Sequence, residues 1–201
     1  MMILTSNGLS SQALLTEARS YIAPGGRAAL VTTASVGYKE NDKHVPRLLE
    51  ELSSLGLAVT CFDIELENPD LLLAYDVVVL MGGNPFYLLH QIRLQKAEAV
   101  LSAIAARGVL IGISAGSAVL QKSIALIAQY SPEMNAEVQL ADLTGLGLTD
   151  AEILPHYRRF LSRFDQFEER AQAYEKANTC TITRLDDGEA LFLTPEHSYK
   201  I

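Results

Sequence analysis

A serine set between two glycines, Gly112-Ile113-Ser114-Ala115-Gly116, follows the apolar run Val109-Leu110-Ile111 and precedes the small residues Ser117 and Ala118. That order predicts a buried strand, a sharp turn and the start of a helix. It is the G-x-S-x-G arrangement, in which a strained strand-to-helix turn lifts a nucleophilic hydroxyl above a sheet edge. Helix N–H groups aimed at that spot stabilise an anion developing there. A serine hydroxyl is a poor nucleophile at neutral pH, so it needs a base, and the base needs a third group to orient it. Of the four histidines, His44 and His90 fall within expected helices and His197 in a polar segment near the end, where solvent exposure accounts for them. His156 follows Pro155 at a strand end, on the same topological edge as Ser114. It is the candidate base, with an ordinary loop histidine as the alternative. An oxyanion site needs the N–H after the nucleophile, here Ala115, and a second from another loop. Gly82-Gly83 can supply the second, although an ordinary glycine turn explains that pair as well.

These residues need elements to position them. Apolar runs at residues 2–5, 27–33, 57–62, 75–81 and 109–113 read as strands, and apolar residues at helical spacing in 10–22, 42–55 and 86–106 read as the helices between them. Strands alternating with helices at this rhythm predict a doubly wound, mostly parallel α/β sheet flanked by helices. In such sheets the ligand crevice lies beyond the C-terminal ends of the strands. Ser6-Asn7-Gly8, Ala34-Ser35-Val36, Gly82-Gly83-Asn84 and Ser114 would gather there. Further on, residues 153–157 read as a short strand ending at His156, and 160–177 as a charged amphipathic helix. Residues 179–184 and 189–193 alternate like a C-terminal antiparallel hairpin around Asp186-Asp187-Gly188. No repeat, low-complexity tract or linker interrupts the chain, so residues 1–201 are expected to form one domain.

Composition narrows the function. The chain has 201 residues, 49% of them hydrophobic, which is ample for a core, and 16 basic against 24 acidic side chains give a formal charge of −8. No Lys/Arg cluster is dense enough to follow a phosphate backbone, so nucleic acid is not an expected partner. No apolar run is long enough to span a bilayer, and the N-terminus lacks the pattern of a signal peptide, so a cytoplasmic location is expected. Cys61 and Cys180 are isolated, without metal-ligand spacing, and read as reduced thiols; neither a metal nor an organic cofactor is expected.

Three segments carry a resemblance: Met81-Gly-Gly-Asn-Pro-Phe-Tyr-Leu-Leu89, Gly112-Ile-Ser-Ala-Gly-Ser117 and Leu154-Pro-His-Tyr157. In this order and spacing they resemble the peptidase E family of serine peptidases, which includes aspartyl dipeptidase and is related to cyanophycinase, over essentially the whole chain. The resemblance implies a class I glutamine amidotransferase-like fold with serine in place of the amidotransferase cysteine. It implies Ser114 as nucleophile, His156 as general base, and the N–H groups of Gly83 and Ala115 as the oxyanion hole. For the third member it points to Asp187, in a late turn before a glycine, where a plain hairpin turn also needs such residues. Glu133 and Asp142 stay open as alternatives. Asn84 and Arg170 are the implied substrate-binding residues, Arg170 for the carboxylate of an N-terminal Asp, although a solvated helix face explains Arg170 too. The expected activity is hydrolysis of short peptides through an acyl-enzyme, without cofactor, by a protein that allows a homodimer. An esterase or amidase on a non-peptide substrate, or a catalytically silent binding protein with this fold, are the rival readings.

Overall fold

The computed structural model describes residues 1–201. A seven-stranded sheet runs through the centre in the order β3-β2-β4-β5-β1-β8-β9. Its five parallel strands are β1 (Met2–Thr5), β2 (Arg27–Val31), β3 (Ala58–Phe62), β4 (Val77–Leu80) and β5 (Val109–Ile113). Alternation along these strands divides the core. Leu4, Ala29, Val31, Val78, Leu80 and Leu110 face one side, while Ile3, Ala28, Leu30, Val77, Val79 and Ile111 face the other. Helices α1 (Gln12–Ala18) and α2 (Val45–Ser54) cover the second face through Leu14, Ala18, Val45, Leu48 and Leu52. On the first face lie α3 (Pro85–Leu94), α4 (Glu98–Arg107) and α5 (Ala115–Leu120). Both faces of β4 and β5 are therefore dry, which is why their sequences are unbroken apolar runs.

α5 packs against β5 and the end of β4 at backbone distance. A Cβ at Gly116 would lie 2.0 Å from the Leu80 carbonyl oxygen, so the second glycine of the serine motif is required by close approach.

Three expected elements are built differently. The stretch read as one helix from 86 to 106 breaks into α3 and α4, because Lys96 takes a left-handed conformation (φ 57°) and Ala97 N–H turns back to the Ile92 carbonyl. The second difference is in pairing. β7 (Ile182–Arg184), the strand before Asp186-Asp187-Gly188, does not pair with the strand after it. β7 lies parallel to β6 (Glu152–Leu154) in a separate two-stranded sheet, while β8 (Ala190–Leu193) pairs antiparallel with β1 and with β9 (Ser198–Lys200). The C-terminal antiparallel hairpin is thus β8-β9. The charged region after His156 likewise divides, into α7 (Tyr157–Leu161) and α8 (Phe167–Asn178), with Gln166 left-handed before the second.

A small apolar cluster of Leu126 and Tyr130 from α6 (Ala125–Tyr130), Leu154, Phe167, Ala171, Tyr174 and Ile182 holds this two-stranded sheet to α6 and α8. Across it Arg184 is clamped by two carboxylates of α8, donating to Glu168 at 2.8 Å and to Glu175 at 2.6 Å. Hydrogen bonds from Arg184 and from the Ile182 N–H hold the Glu175 pKa down at about 2. A carboxyl depressed in the folded state stabilises the fold above its unfolded pKa, and that stability is lost as pH falls through the folded value. Glu175→Gln is accordingly expected to lower the urea midpoint at pH 7. The deficit should narrow from about pH 4.5 downwards, and a deficit unchanged at pH 3 would contradict the clamp.

Candidate active site

Three neighbouring strands end on the same edge of the sheet. β4 runs into Gly82-Gly83, β5 into Ser114 and β1 into Ser6, with Leu80 opposite Gly112 and Ile113 opposite Thr5 in the ladder. Ser114 sits at φ 49°, ψ −104°, a conformation that L-residues rarely adopt. Its N–H donates to the Thr5 carbonyl and its own carbonyl accepts from Ala118, so the turn is held from both strand and helix. Gly83 has φ 145°, and a Cβ there would lie 2.2 Å from the Ala34 carbonyl oxygen, so no other residue fits. Its N–H has no partner in the protein, and that of Ala115, the first of α5, has none within its helix.

The remaining groups arrive from the two-stranded sheet. Its parallel register sets Leu154 opposite Arg184, so the chain emerges side by side as Pro155-His156 and Leu185-Asp186-Asp187. Leu185 N–H donates to the Leu154 carbonyl and Tyr157 N–H to the Leu185 carbonyl, which carries the pairing to the site. His156 is left-handed (φ 58°, ψ 32°) and its ring packs edge-on against Phe160. His156 Nε2 lies 3.0 Å from Ser114 Oγ, and Nδ1 lies 2.5 Å from Asp187 Oδ1. In the tautomer with the proton on Nδ1, the ring donates to the carboxylate and Nε2 is the nitrogen that can accept the serine proton.

Ser6, whose importance was not evident in the sequence, completes the arrangement. Its fully buried hydroxyl accepts from the His156 backbone N–H at 2.9 Å and donates to Asp187 Oδ1 at 2.7 Å. Burial works against the Asp187 charge, but hydrogen bonds from Ser6 and His156, with the charges of His156 and Arg159, outweigh it and hold the carboxyl below its ordinary pKa. The sequence signal was only that Ser6 ends a strand on the crevice edge.

A cleft of two lobes lies over Ser114. One, about 470 Å³, is bounded by Ile127, Tyr130, Glu133, Phe160, Arg163 and Phe164. The other, about 450 Å³, is bounded by Asn7, Ser10, Lys43, His44 and Arg47. Gly83, Ser114, His156 and Arg159 line both. Several sequence candidates stand elsewhere. Asn84 lines neither lobe: its Oδ1 caps α3 by accepting from Phe86 and Tyr87 N–H, and its Nδ2 donates to the Met134 carbonyl. Arg170 also lines neither; its guanidinium lies 4.7 Å from the centre of the Tyr130 ring. Asp142 pairs with Arg93 and takes no part, and Glu133 borders the first lobe without touching His156.

The sequence pattern of peptidase family S51 matches residues 2–201. An uncharacterized peptidase of Listeria monocytogenes is 30% identical over 197 residues, covering 96% of this chain and 93% of the relative. A peptidase E of Escherichia coli is 26% identical over 209 residues, covering 98% of this chain and 88% of the relative. A crystal structure from Listeria monocytogenes EGD-e, provisionally named a peptidase E protein, superimposes with a TM-score of 0.79 at 28% identity, covering 100% of this chain and 96% of that one. A peptidase structure from an acI-B1 actinobacterium shares the fold, with a TM-score of 0.65 at 18% identity over 94% of this chain and 81% of that one. With the family pattern running from the first strand to the last residue, the chain belongs to peptidase family S51 and is a serine-type peptidase.

Proposed function

We propose that this protein hydrolyses short peptides through a Ser114-His156-Asp187 triad on a nucleophile elbow. The observation that carries the reading is the unbroken line from Ser114 Oγ to His156 Nε2 (3.0 Å) and from His156 Nδ1 to Asp187 Oδ1 (2.5 Å). Ser114 Oγ attacks the scissile carbonyl while His156 Nε2 takes its proton. Asp187 holds the ring in the tautomer that can do so and stabilises the imidazolium that forms. The carbonyl oxygen, now an anion, is met by the Gly83 and Ala115 N–H groups, one from a glycine loop and one from a helix start. His156 then protonates the leaving amine, the C–N bond breaks, and an acyl-enzyme remains. Water, deprotonated by the same imidazole, hydrolyses it and restores the serine. Two amino acids or shorter peptides leave, and no cofactor takes part in any step.

Ser6 is a positioning residue in this scheme. It fixes the His156 backbone in its left-handed conformation and shares the Asp187 oxygen that receives the imidazole proton. Both effects act on ring orientation, where a small displacement is costly.

Exposure to a fluorophosphonate should add one adduct per chain by intact mass. Ser114→Ala should abolish the adduct and cut kcat by roughly 10⁴-fold or more while the thermal melt stays unchanged. Retained turnover in that variant would overturn the assignment. Ser6→Ala should lower kcat by roughly 10–100-fold with little change in KM, since it disturbs the orientation of the base rather than substrate contacts. A pure KM effect would remove Ser6 from the catalytic arrangement.

A further inference from the structure

Asp187 meets His156 without being packed into place. Its side chain is 39% exposed, and the turn that carries it passes through Gly188 at φ 92°, where an added Cβ would meet nothing closer than Ser11 Cβ at 3.9 Å. Hydrogen bonds, not contacts, must therefore fix this turn. Four of them come from the segment after β1. Ser6 N–H donates to the Glu189 carbonyl at 3.3 Å and Ser6 Oγ to Asp187 Oδ1 at 2.7 Å. Ser11 Oγ donates to the Gly188 carbonyl at 3.2 Å, and Asn7 Oδ1 accepts from Gly188 N–H at 3.0 Å. The last bond is placed differently from the others. Gly188 N–H lies in the rigid peptide plane that leaves the Asp187 Cα, so holding it sets the Asp187 ψ and with it the direction of the carboxylate.

Asn7 is in turn held from three sides. Its backbone carbonyl accepts from Arg47 Nη2 at 2.8 Å, and Arg47 is paired with Glu51 one turn along α2. Gly8 N–H donates to Thr5 Oγ1 at 3.0 Å, and Leu9 N–H to Glu51 Oε2 at 2.9 Å. Its side chain is steadied by Ser10 Oγ, which donates to the same Oδ1 at 2.8 Å. Resting on the triad proposed above, we infer that Asn7 is a positioning residue that holds Asp187 against His156 through the Gly188 N–H. It is the link by which the α2 ion pair and the end of β1 are connected to the turn carrying the acid. A carboxamide suits the place because its oxygen accepts two hydrogen bonds at once without a charge. Because Arg47 grips the backbone, Asn7→Ala removes the oxygen without releasing the segment.

The test is the rate of fluorophosphonate labelling by intact mass, read across probe concentrations on wild type, Asn7→Ala, Asn7→Asp, Asp187→Ala and the Asn7→Ala/Asp187→Ala pair. Asn7→Ala should lower the limiting rate by about tenfold with the half-saturating concentration unchanged. Asn7→Asp keeps an accepting oxygen and should return the rate to within about threefold of wild type. Asn7 borders the cleft, so a role in substrate contact would instead appear in the half-saturating concentration. With Asp187→Ala already present and longer exposure, Asn7→Ala should cost nothing further, because the effect passes through that carboxylate. Thermal melts on the same samples show that each variant is folded at the labelling temperature. A wild-type rate in Asn7→Ala, an equal loss in Asn7→Asp, or the same cost with and without Asp187 overturns this inference and leaves the triad standing. Asp187→Ala labelled as fast as wild type would sink the triad reading, and the inference with it.

Discussion

One buried hydroxyl joins the two parts of this molecule that must act together. Ser6 belongs to the central sheet, at the end of β1, yet its oxygen accepts from the backbone of His156 and donates to Asp187, both carried by the small β6-β7 sheet. Ser114 rides on β5, the ladder neighbour of β1, and its N–H is bonded to Thr5, the residue before Ser6. Ser114, His156 and Asp187 are thus referenced to the same strand end. A hydroxyl suits this place because it donates and accepts at once, and it meets both demands without adding a charge to a buried position.

The site also concentrates conformational strain. Ser114 and His156 both have positive φ, and Gly83 has a φ that only glycine tolerates beside the Ala34 carbonyl. Such backbone persists only when its surroundings over-determine it. Here the surroundings are a parallel sheet buried on both faces, the helix α5 pressed against Leu80, and the Arg184 clamp behind β7. The cleft in front of Ser114 and His156 is lined by side chains of α7 and of the segments around residues 42–47 and 127–134. Strand ends thus carry Ser114 and His156, and the segments that surround them line the cleft.

The local part of this arrangement was legible in the sequence. The apolar run Val77–Leu80 reads as a strand covered on both faces, and the small residues around Ser114 favour a tight strand-to-helix turn over an ordinary Gly/Ser turn; the structure shows both. The rule that ligands gather at the C-terminal ends of parallel strands then brought Ser6, Gly83 and Ser114 to one edge. These inferences depend on nearest-neighbour sterics and on periodicity, which sequence carries directly.

What the sequence left undecided required knowing which distant segments touch. The alternation of residues 179–184 and 189–193 marks strands but not their partners, and pairing with β6 rather than β8 is chosen by burial of Leu154, Tyr174 and Ile182 in a cluster contributed by α6 and α8. That choice, not the Asp-Asp-Gly turn itself, brings Asp187 beside His156. The same holds for Ser6, an unremarkable strand-end residue until the second sheet docks on it, and for Arg170, whose sequence position suggested a carboxylate receptor but whose guanidinium is taken by Tyr130. The sequence by itself determined the strands, the elbow turn and the family. The tertiary structure alone decided which carboxylate lies against His156, because that depends on competition among partners that are far apart along the chain.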